Sequence, residues 1–111
     1  MINMNLNSVY FDYIKNGTKR IELRLYDEKR SKIKLNDLIC FTNNETKEEL
    51  KVKVIGLLRY NNFKSIINDF DISIFSSEEM KKDKLINTLN EIYGKEKEEK
   101  YGVLGIRFDI I

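Results

Sequence analysis

Apolar and polar side chains follow two different periods along this chain, and each period predicts a different kind of element. Residues 18–26 alternate, with every second side chain apolar, a pattern typical of a strand that buries one face. Further strands are predicted at residues 2–6, 37–42, 50–60 and from Val103 to Ile110. Gly56 interrupts the longest of these strands, so we expect a bulge or bend at that position.

Short helical segments are predicted between the strands. Asn7 or Ser8 supplies the cap of a helix that runs to Lys15, and Gly17 supplies its left-handed stop. Residues 27–32, 62–70 and 95–100 are predicted to form shorter helical segments or single turns.

One segment has the clearest helical period in the chain. Apolar side chains recur along residues 78–93 at the spacing that places them on one face of a helix. Ser76 and Glu79 have the spacing of a capping box at its start, and Gly94 follows its end. We therefore expect one amphipathic helix that packs against the sheet.

The order of these elements predicts the fold class. Strands and helices do not alternate one for one, which favours an α+β fold with a small, mostly antiparallel sheet or barrel and peripheral helices. The chain has 111 residues, so we expect a single domain over residues 1–111. No apolar run approaches the ~20 residues that a membrane crossing needs. Residues 1–5 lack the features of a secretion signal and the one cysteine cannot form an internal disulfide, so a cytoplasmic protein is predicted.

Composition narrows the chemistry. Histidine is absent and Cys40 is the only cysteine, which excludes catalytic schemes based on histidine and zinc sites built from several thiolates. The five glycines form neither of the common phosphate-binding loop motifs. We therefore expect no metal and no cofactor, and any chemistry must come from Lys, Arg, Asp, Glu, Tyr, Ser or Thr.

Charge is concentrated in one segment of the chain. Residues 15–34 contain eight basic and three acidic residues, although the net charge of the whole chain is only +2. Such a local excess can bind phosphate groups. The alternative is an ordinary basic surface that water solvates.

Lys19, Glu22 and Arg24 are the candidates for chemistry within this segment. Glu22 and Arg24 share a face of the predicted strand, roughly 7 Å apart along it. Lys19 is three residues before Glu22, an odd number, so on a regular strand its side chain would point to the opposite face. Either a bulge after Gly17 turns the side chain back, or Lys19 lies before the strand begins. If the three side chains converge, Glu22 can accept a proton and Lys19 can stabilise negative charge. The alternative is a structural Glu–Arg pair with Lys19 in solvent.

Residues 17–24 read GxKxxExR and resemble the signature of the ASCH domain family. Residues 25–34, 37–41 and 99–106 also resemble the corresponding segments of small bacterial ASCH proteins. Asn36 stands where members of the family often have glycine, and asparagine tolerates the same turn. The resemblance implies a PUA-like β-barrel fold that recognises RNA or a nucleotide.

The resemblance also implies a site, and its expected ligand is RNA, a nucleoside or a nucleotide. Lys19, Glu22 and Arg24 would line a cleft beside the barrel. Strand spacing adds Tyr26 to this site, because it shares a face with Glu22 and Arg24 and could stack on a base. The basic residues expected to guide phosphates are Arg20, Lys29, Arg30 and Lys32.

Two other functions remain open at this stage. Some small bacterial relatives hydrolyse N4-acetylcytidine with a lysine and, three residues later, a threonine nucleophile. In this chain the residue three after Lys19 is Glu22, which would have to activate water instead. The other alternative is a module whose basic face binds an acidic protein partner.

Overall fold

The computed structural model describes residues 1–77 and 79–111. Within these residues the strands are β1 (Ile2–Leu6), β2 (Ile21–Leu25), β3 (Leu38–Asn43), β4 (Glu49–Tyr60) and β5 (Val103–Ile110). The α-helices are α1 (Ser8–Lys15), α2 (Phe63–Asp69), α3 (Lys82–Tyr93) and α4 (Lys95–Tyr101). Short 3₁₀ turns lie at Arg30–Lys32 and Ile72–Ile74. The order of the elements is the order that the sequence predicts.

The strands form one mixed sheet in the order β1-β3-β4-β5-β2. The pair β1–β3 is parallel, and the pairs β3–β4, β4–β5 and β2–β5 are antiparallel. The long strand β4 pairs with β5 through a register shift between Val54 and Gly56, which confirms the predicted irregularity at Gly56. The first two strands of the chain therefore form the two edges of the sheet.

The sheet separates two apolar clusters. Leu104, Ile106 and Phe108 on β5 pack in the cluster inside the curl of the sheet, which also contains residues of α1. Val103 on the other face of β5 packs in the second cluster, between the sheet and helices α2 and α3. The helices are thus peripheral to a curled half-barrel, and the fold is α+β as predicted and consistent with the PUA-like architecture.

Side chains and a loop cover the two sheet edges. The Arg24 guanidinium of β2 donates a hydrogen bond of 3.1 Å to the carbonyl of Asn5 in β1, across the gap between the edges. The backbone N–H of Arg20 donates to the carbonyl of Ile74 at 2.8 Å, so the 72–74 turn covers the start of β2. Unpaired strand edges are prone to pair with other chains, and these contacts protect them.

The predicted bounds of β2 differ from the structure at both ends. Strand β2 begins at Ile21, not at residue 18, because the amides of Thr18 and Lys19 both donate to the carbonyl of Tyr13 and so continue the turn that ends α1. It ends at Leu25, one residue earlier than predicted.

Helix α3 begins at Lys82, which is later than the predicted start at residue 78; Glu78 itself lies outside the described residues. The predicted capping box is wrong, since Lys81 precedes the helix without a side-chain cap. The Ser76 side chain is buried and its hydroxyl donates to the carbonyl of Ile72 instead. In the described residues, no helix has the length and apolar character that crossing a membrane requires.

Candidate functional site

Lys19 lies in the short connection between α1 and β2. Gly17 has a φ of 88°, a left-handed conformation that glycine adopts without strain, and it turns the chain at the end of α1. Lys19 therefore lies before β2, which is one of the two alternatives that the sequence left open. The alternation of side chains along the strand does not determine where the Lys19 side chain points. Its ammonium is 2.9 Å from Oε1 of Glu22 and donates a hydrogen bond of 3.1 Å to the carbonyl of Phe75.

Glu22 and Arg24 extend from the same face of β2, as their spacing predicts. Nε and Nη2 of Arg24 lie 2.9 Å and 2.8 Å from Oε2 of Glu22. Their register partners on β5 are Ile106 and Leu104, which belong to the cluster inside the curled sheet. Cross-strand neighbours share a sheet face, so this polar pair points into the half-barrel and not towards solvent.

The charge cluster formed by Lys19, Glu22 and Arg24 is buried. The three side chains are 5%, 7% and 14% exposed. Burial alone would raise the pKa of the Glu22 carboxyl, but the charges of Lys19 and Arg24 and their hydrogen bonds outweigh it, so this pKa lies below its ordinary value. Glu22 is therefore a carboxylate at neutral pH, and the cluster carries one net positive charge.

A cavity of about 340 Å³ opens beside the charge cluster. This volume lies near the lower end of the range of about 300–1,000 Å³ that is typical of small-molecule sites. Its walls come from β1, α1, β2, the loop before α3 and α3 itself. The lining residues are Asn5, Leu6, Asn7, Tyr10, Lys19, Glu22, Leu23, Arg24, Asn44, Phe75, Leu85, Thr88, Leu89, Ile92 and Tyr93.

The structure adds side chains that the sequence did not single out for this site. The ring centroid of Tyr10 lies 5.1 Å from the Lys19 ammonium, within the range of a cation–π contact. Tyr93, at the end of α3, stacks on Phe63 with ring centroids 5.5 Å apart. Burial raises the pKa of both tyrosines, so both remain neutral hydroxyl groups. Helical spacing identified Tyr93 only as part of an apolar stripe, and no local pattern distinguished Tyr10.

Several predicted ligand-binding residues do not line this cavity. Arg20 is exposed on the surface at the start of β2. The guanidinium of Arg59 lies 3.3 Å from the centroid of the Tyr26 ring, so another protein side chain already covers that ring. Tyr26 packs against the cluster inside the curled sheet, the side to which Glu22 and Arg24 also point, but it does not line this cavity.

Lys29 and Arg30 line a different cavity, on the segment that follows β2. The basic residues predicted to guide phosphates therefore lie in two places: Arg20 on the surface, and Lys29, Arg30 and Lys32 at this second cavity. Within the described residues, no group of three or more Cys, Asp or Glu side chains forms a potential metal site.

Comparison with known proteins agrees with this architecture. The chain is similar to a protein whose structure is described as the crystal structure of hypothetical protein PH0355, with 38% sequence identity and a TM-score of 0.87 over 98% of this chain and 97% of that one. It is also similar to protein PF0455 from Pyrococcus furiosus, known from a solution NMR structure, with 33% identity and a TM-score of 0.79 over 99% and 96% of the two chains. No functionally curated protein matches the chain.

The family model of the ASCH domain matches residues 4–111, which include β2 to β5, the last three residues of β1 and the whole charge cluster. Asn36, where the resemblance led us to expect glycine, has a φ of 73°, a left-handed conformation that asparagine tolerates. Because the family model covers nearly the whole chain, the chain belongs to the ASCH domain family.

Proposed function

We propose that this protein binds a nucleotide, either free or as an unstacked unit of RNA, in the cavity beside Lys19, Glu22 and Arg24. The observation that supports the proposal most directly is a buried cluster with one net positive charge at the wall of a cavity large enough for a small molecule. The ASCH family's association with RNA or nucleotide recognition agrees with this ligand class.

Electrostatics favours a ligand with negative charge or strong hydrogen-bond acceptors. Nε and Nη2 of Arg24 are bonded to Glu22 and Asn5, whereas Nη1 has no acceptor in the part of the chain that the structure describes. A buried guanidinium with unused N–H groups binds phosphate or carbonyl oxygens strongly, because such hydrogen bonds are charge-assisted. A phosphate or a base carbonyl placed here would complete its hydrogen bonding.

The remaining walls suit a nucleobase. Tyr10 and Tyr93 contribute aromatic side chains to the wall of the cavity, and proteins recognise unstacked bases by stacking them on such rings. Phe63 stacks on Tyr93, which holds that ring in place. The amide side chains of Asn5 and Asn7 offer both donors and acceptors, which is the chemistry needed to read a base edge. Ring contact and amide contact together favour a nucleotide over a simple anion.

The same geometry discriminates against the two alternatives. A general base works best when its pKa is near the working pH, but the pKa of Glu22 lies below its ordinary value and both its oxygens are paired with cations. Proton abstraction by Glu22 in a hydrolase would therefore be weak. An acidic protein partner would bind exposed basic residues such as Arg20, and it would leave the buried cluster and its cavity unused.

Fluorescence anisotropy tests the proposal. A short labelled single-stranded RNA is titrated with the protein at low and high salt, and a nucleoside monophosphate is then added as a competitor for the RNA. We expect wild-type protein to bind the RNA and the competitor to displace it. Arg24→Gln should weaken binding at least tenfold, since a hydrogen bond to a charged group contributes about 1.5–3 kcal/mol. Arg20→Gln is the matched control because Arg20 is an exposed arginine of the same motif outside the cavity, and it should change affinity less than twofold.

Urea unfolding and circular dichroism establish that both variants remain folded. Equal affinities of wild type and Arg24→Gln for the RNA would contradict the assignment of the cavity, and no binding of RNA or nucleotide at either salt would overturn the proposed function. Release of acetate from N4-acetylcytidine, abolished in Glu22→Gln, would support the hydrolase instead.

A further inference from the structure

A second cavity lies at the other end of the gap between the two sheet edges. It has a volume of about 400 Å³, and residues from the first half of β1 and from the segment after β2 form its walls. Strand β1 links the two cavities: Asn5 lines the first, and Ile2 and Met4 line the second. Three residues of a strand span about 10 Å, so the two cavities are neighbours along one seam.

Positive charge dominates this second cavity. Lys29, Arg30 and Lys32 line it, and Asp37 is the one acidic residue in its described lining. The Asp37 carboxylate accepts a hydrogen bond of 2.8 Å from the backbone N–H of Lys34, so part of its hydrogen-bonding capacity is already used. A cavity with this balance of charge attracts an anion.

Arg30 provides an independent sign of a missing ligand. Its Nη1 lies 3.1 Å from Oδ2 of Asp27, which holds one side of the guanidinium in place. Its Nε is buried and has no hydrogen-bond acceptor among the residues that the structure describes. Buried donors without acceptors are rare in native proteins and call for a specific explanation, such as an ion or ligand that completes the site.

We propose that this second cavity binds a backbone phosphate of RNA whose unstacked nucleotide occupies the first cavity. This inference rests on the proposed function and specifies its ligand as an RNA strand, not a free nucleotide. Asn5 and Ile2 lie about 10 Å apart along β1, and stacked nucleotides rise about 3.4 Å each along a strand, so one strand can reach both cavities within about three nucleotides. In this arrangement the unpaired Nε–H of Arg30 donates to a phosphate oxygen, Asp27 keeps the guanidinium in position, and Lys29 and Lys32 add positive charge.

The double variant Lys29→Gln/Lys32→Gln tests this subsite by anisotropy with the same single-stranded RNA over a range of salt concentrations. For a single strand, the slope of log affinity against log salt should fall by about 0.7 for every phosphate that the protein no longer neutralises. We expect the double variant to neutralise one or two phosphates fewer than wild type and to bind the RNA about tenfold more weakly at low salt. Its affinity for the nucleoside monophosphate should stay within twofold of wild type. The matched control Lys51→Gln/Lys97→Gln removes two exposed lysines that line neither cavity, and it should leave the slope unchanged.

The Nε–H signal of Arg30 in two-dimensional ¹H–¹⁵N spectra gives a second measurement, assigned by its loss in Arg30→Lys. We expect this signal to shift when the RNA is added and to stay in place when the nucleoside monophosphate is added. An unmoved Arg30 signal at saturating RNA, or an unchanged salt slope in the double variant, would overturn the subsite while leaving nucleotide binding intact. Wild-type protein that binds neither RNA nor nucleotide would overturn both proposals.

Discussion

Two lysine–glutamate pairs in this protein have similar geometry and opposite surroundings. The Lys15 ammonium and the Glu48 carboxylate are 2.6 Å apart, and their side chains are 55% and 43% exposed. The Lys19 ammonium and the Glu22 carboxylate are 2.9 Å apart, in side chains that are 5% and 7% exposed. The shorter contact is the one that solvent surrounds.

Burial of the charges, and not the distance between them, decides how much stability the protein loses when one partner of a pair is removed. The hydrogen bond to Glu48 raises the pKa of Lys15, but water and salt screen an exposed pair, and ordering two long side chains costs entropy. In the interior the attraction between the charges is stronger, and each charge has lost water that only protein groups can replace. Removal of one partner is therefore far more damaging in the buried pair than in the exposed one.

The largest expected effect is that of Glu22→Gln. This substitution leaves the Lys19 and Arg24 cations buried without a counter-charge, and breaking a buried pair in this way costs about 3–5 kcal/mol of unfolding free energy. Urea unfolding measures the loss. The matched substitution Glu48→Gln removes the carboxylate of the exposed pair, and it should produce no measurable change. Similar losses in the two variants would contradict the comparison.

A smaller effect is expected for Lys19→Met. Methionine approximates the length of the lysine side chain, and Glu22 keeps its contacts with Arg24, so the remaining charges still balance. The carbonyl of Phe75 loses its donor, and an unsatisfied buried group costs about 1–3 kcal/mol. Lys15→Met is the control, with no measurable loss expected in the same unfolding experiment. A loss in Lys19→Met as large as that in Glu22→Gln would mean that Lys19, and not the carboxylate, holds the cluster together.

The smallest effect concerns pH. The pKa of Glu22 is lower in the folded protein than its ordinary value of 4.5, so this group stabilises the folded state fully above that pH. As pH falls below 4.5 the unfolded chain binds the proton first, and the contribution declines until it is lost below the folded pKa. The stability gap between wild type and Glu22→Gln should therefore be constant near neutral pH and narrow in acid. The pKa of Asp71 is also lowered, but Asp71 is present in both wild type and Glu22→Gln. Its contribution therefore cancels in the stability gap between them, and the remaining pH dependence belongs to Glu22. A gap that does not change down to about pH 2 would refute this assignment.

Much of the fold was predictable from local patterns. The two-residue period identified the strands, and the helices after Asn7 and after Asn62 begin with the side-chain caps that these residues provide. The start of α3 was not predictable in the same way. Ser76 and Glu79 have the spacing of a capping box, but Phe75 and Ser76 are buried, and the helix begins only at Lys82. Tertiary packing overrides a local capping signal when the residues that would form the cap are drawn into the interior.

The site was predictable in its residue types but not in its surroundings. The strand period placed Glu22 and Arg24 on one face, and the family signature added Lys19. That same period predicted a strand with one buried face and left a cleft or a solvated surface open for the other. The polar side chains are buried as well, because β2 is an edge strand and they point into the gap of the half-barrel. The contact of Arg59 with the Tyr26 ring was not predictable for a related reason, since it joins residues that are distant in sequence.

The sequence by itself determined which charges are present, which of them share a strand face, and where Gly17 ends the first helix. These are properties of neighbouring residues, and they follow from steric limits and from the periods of helix and strand. Only the tertiary structure decided that the cluster is buried and bounded by aromatic rings. Its contacts join residues far apart in the chain, as in the hydrogen bond from Lys19 to Phe75 across 56 positions. Such contacts form when the whole sheet curls and the helices pack on it, and no local pattern encodes that closure.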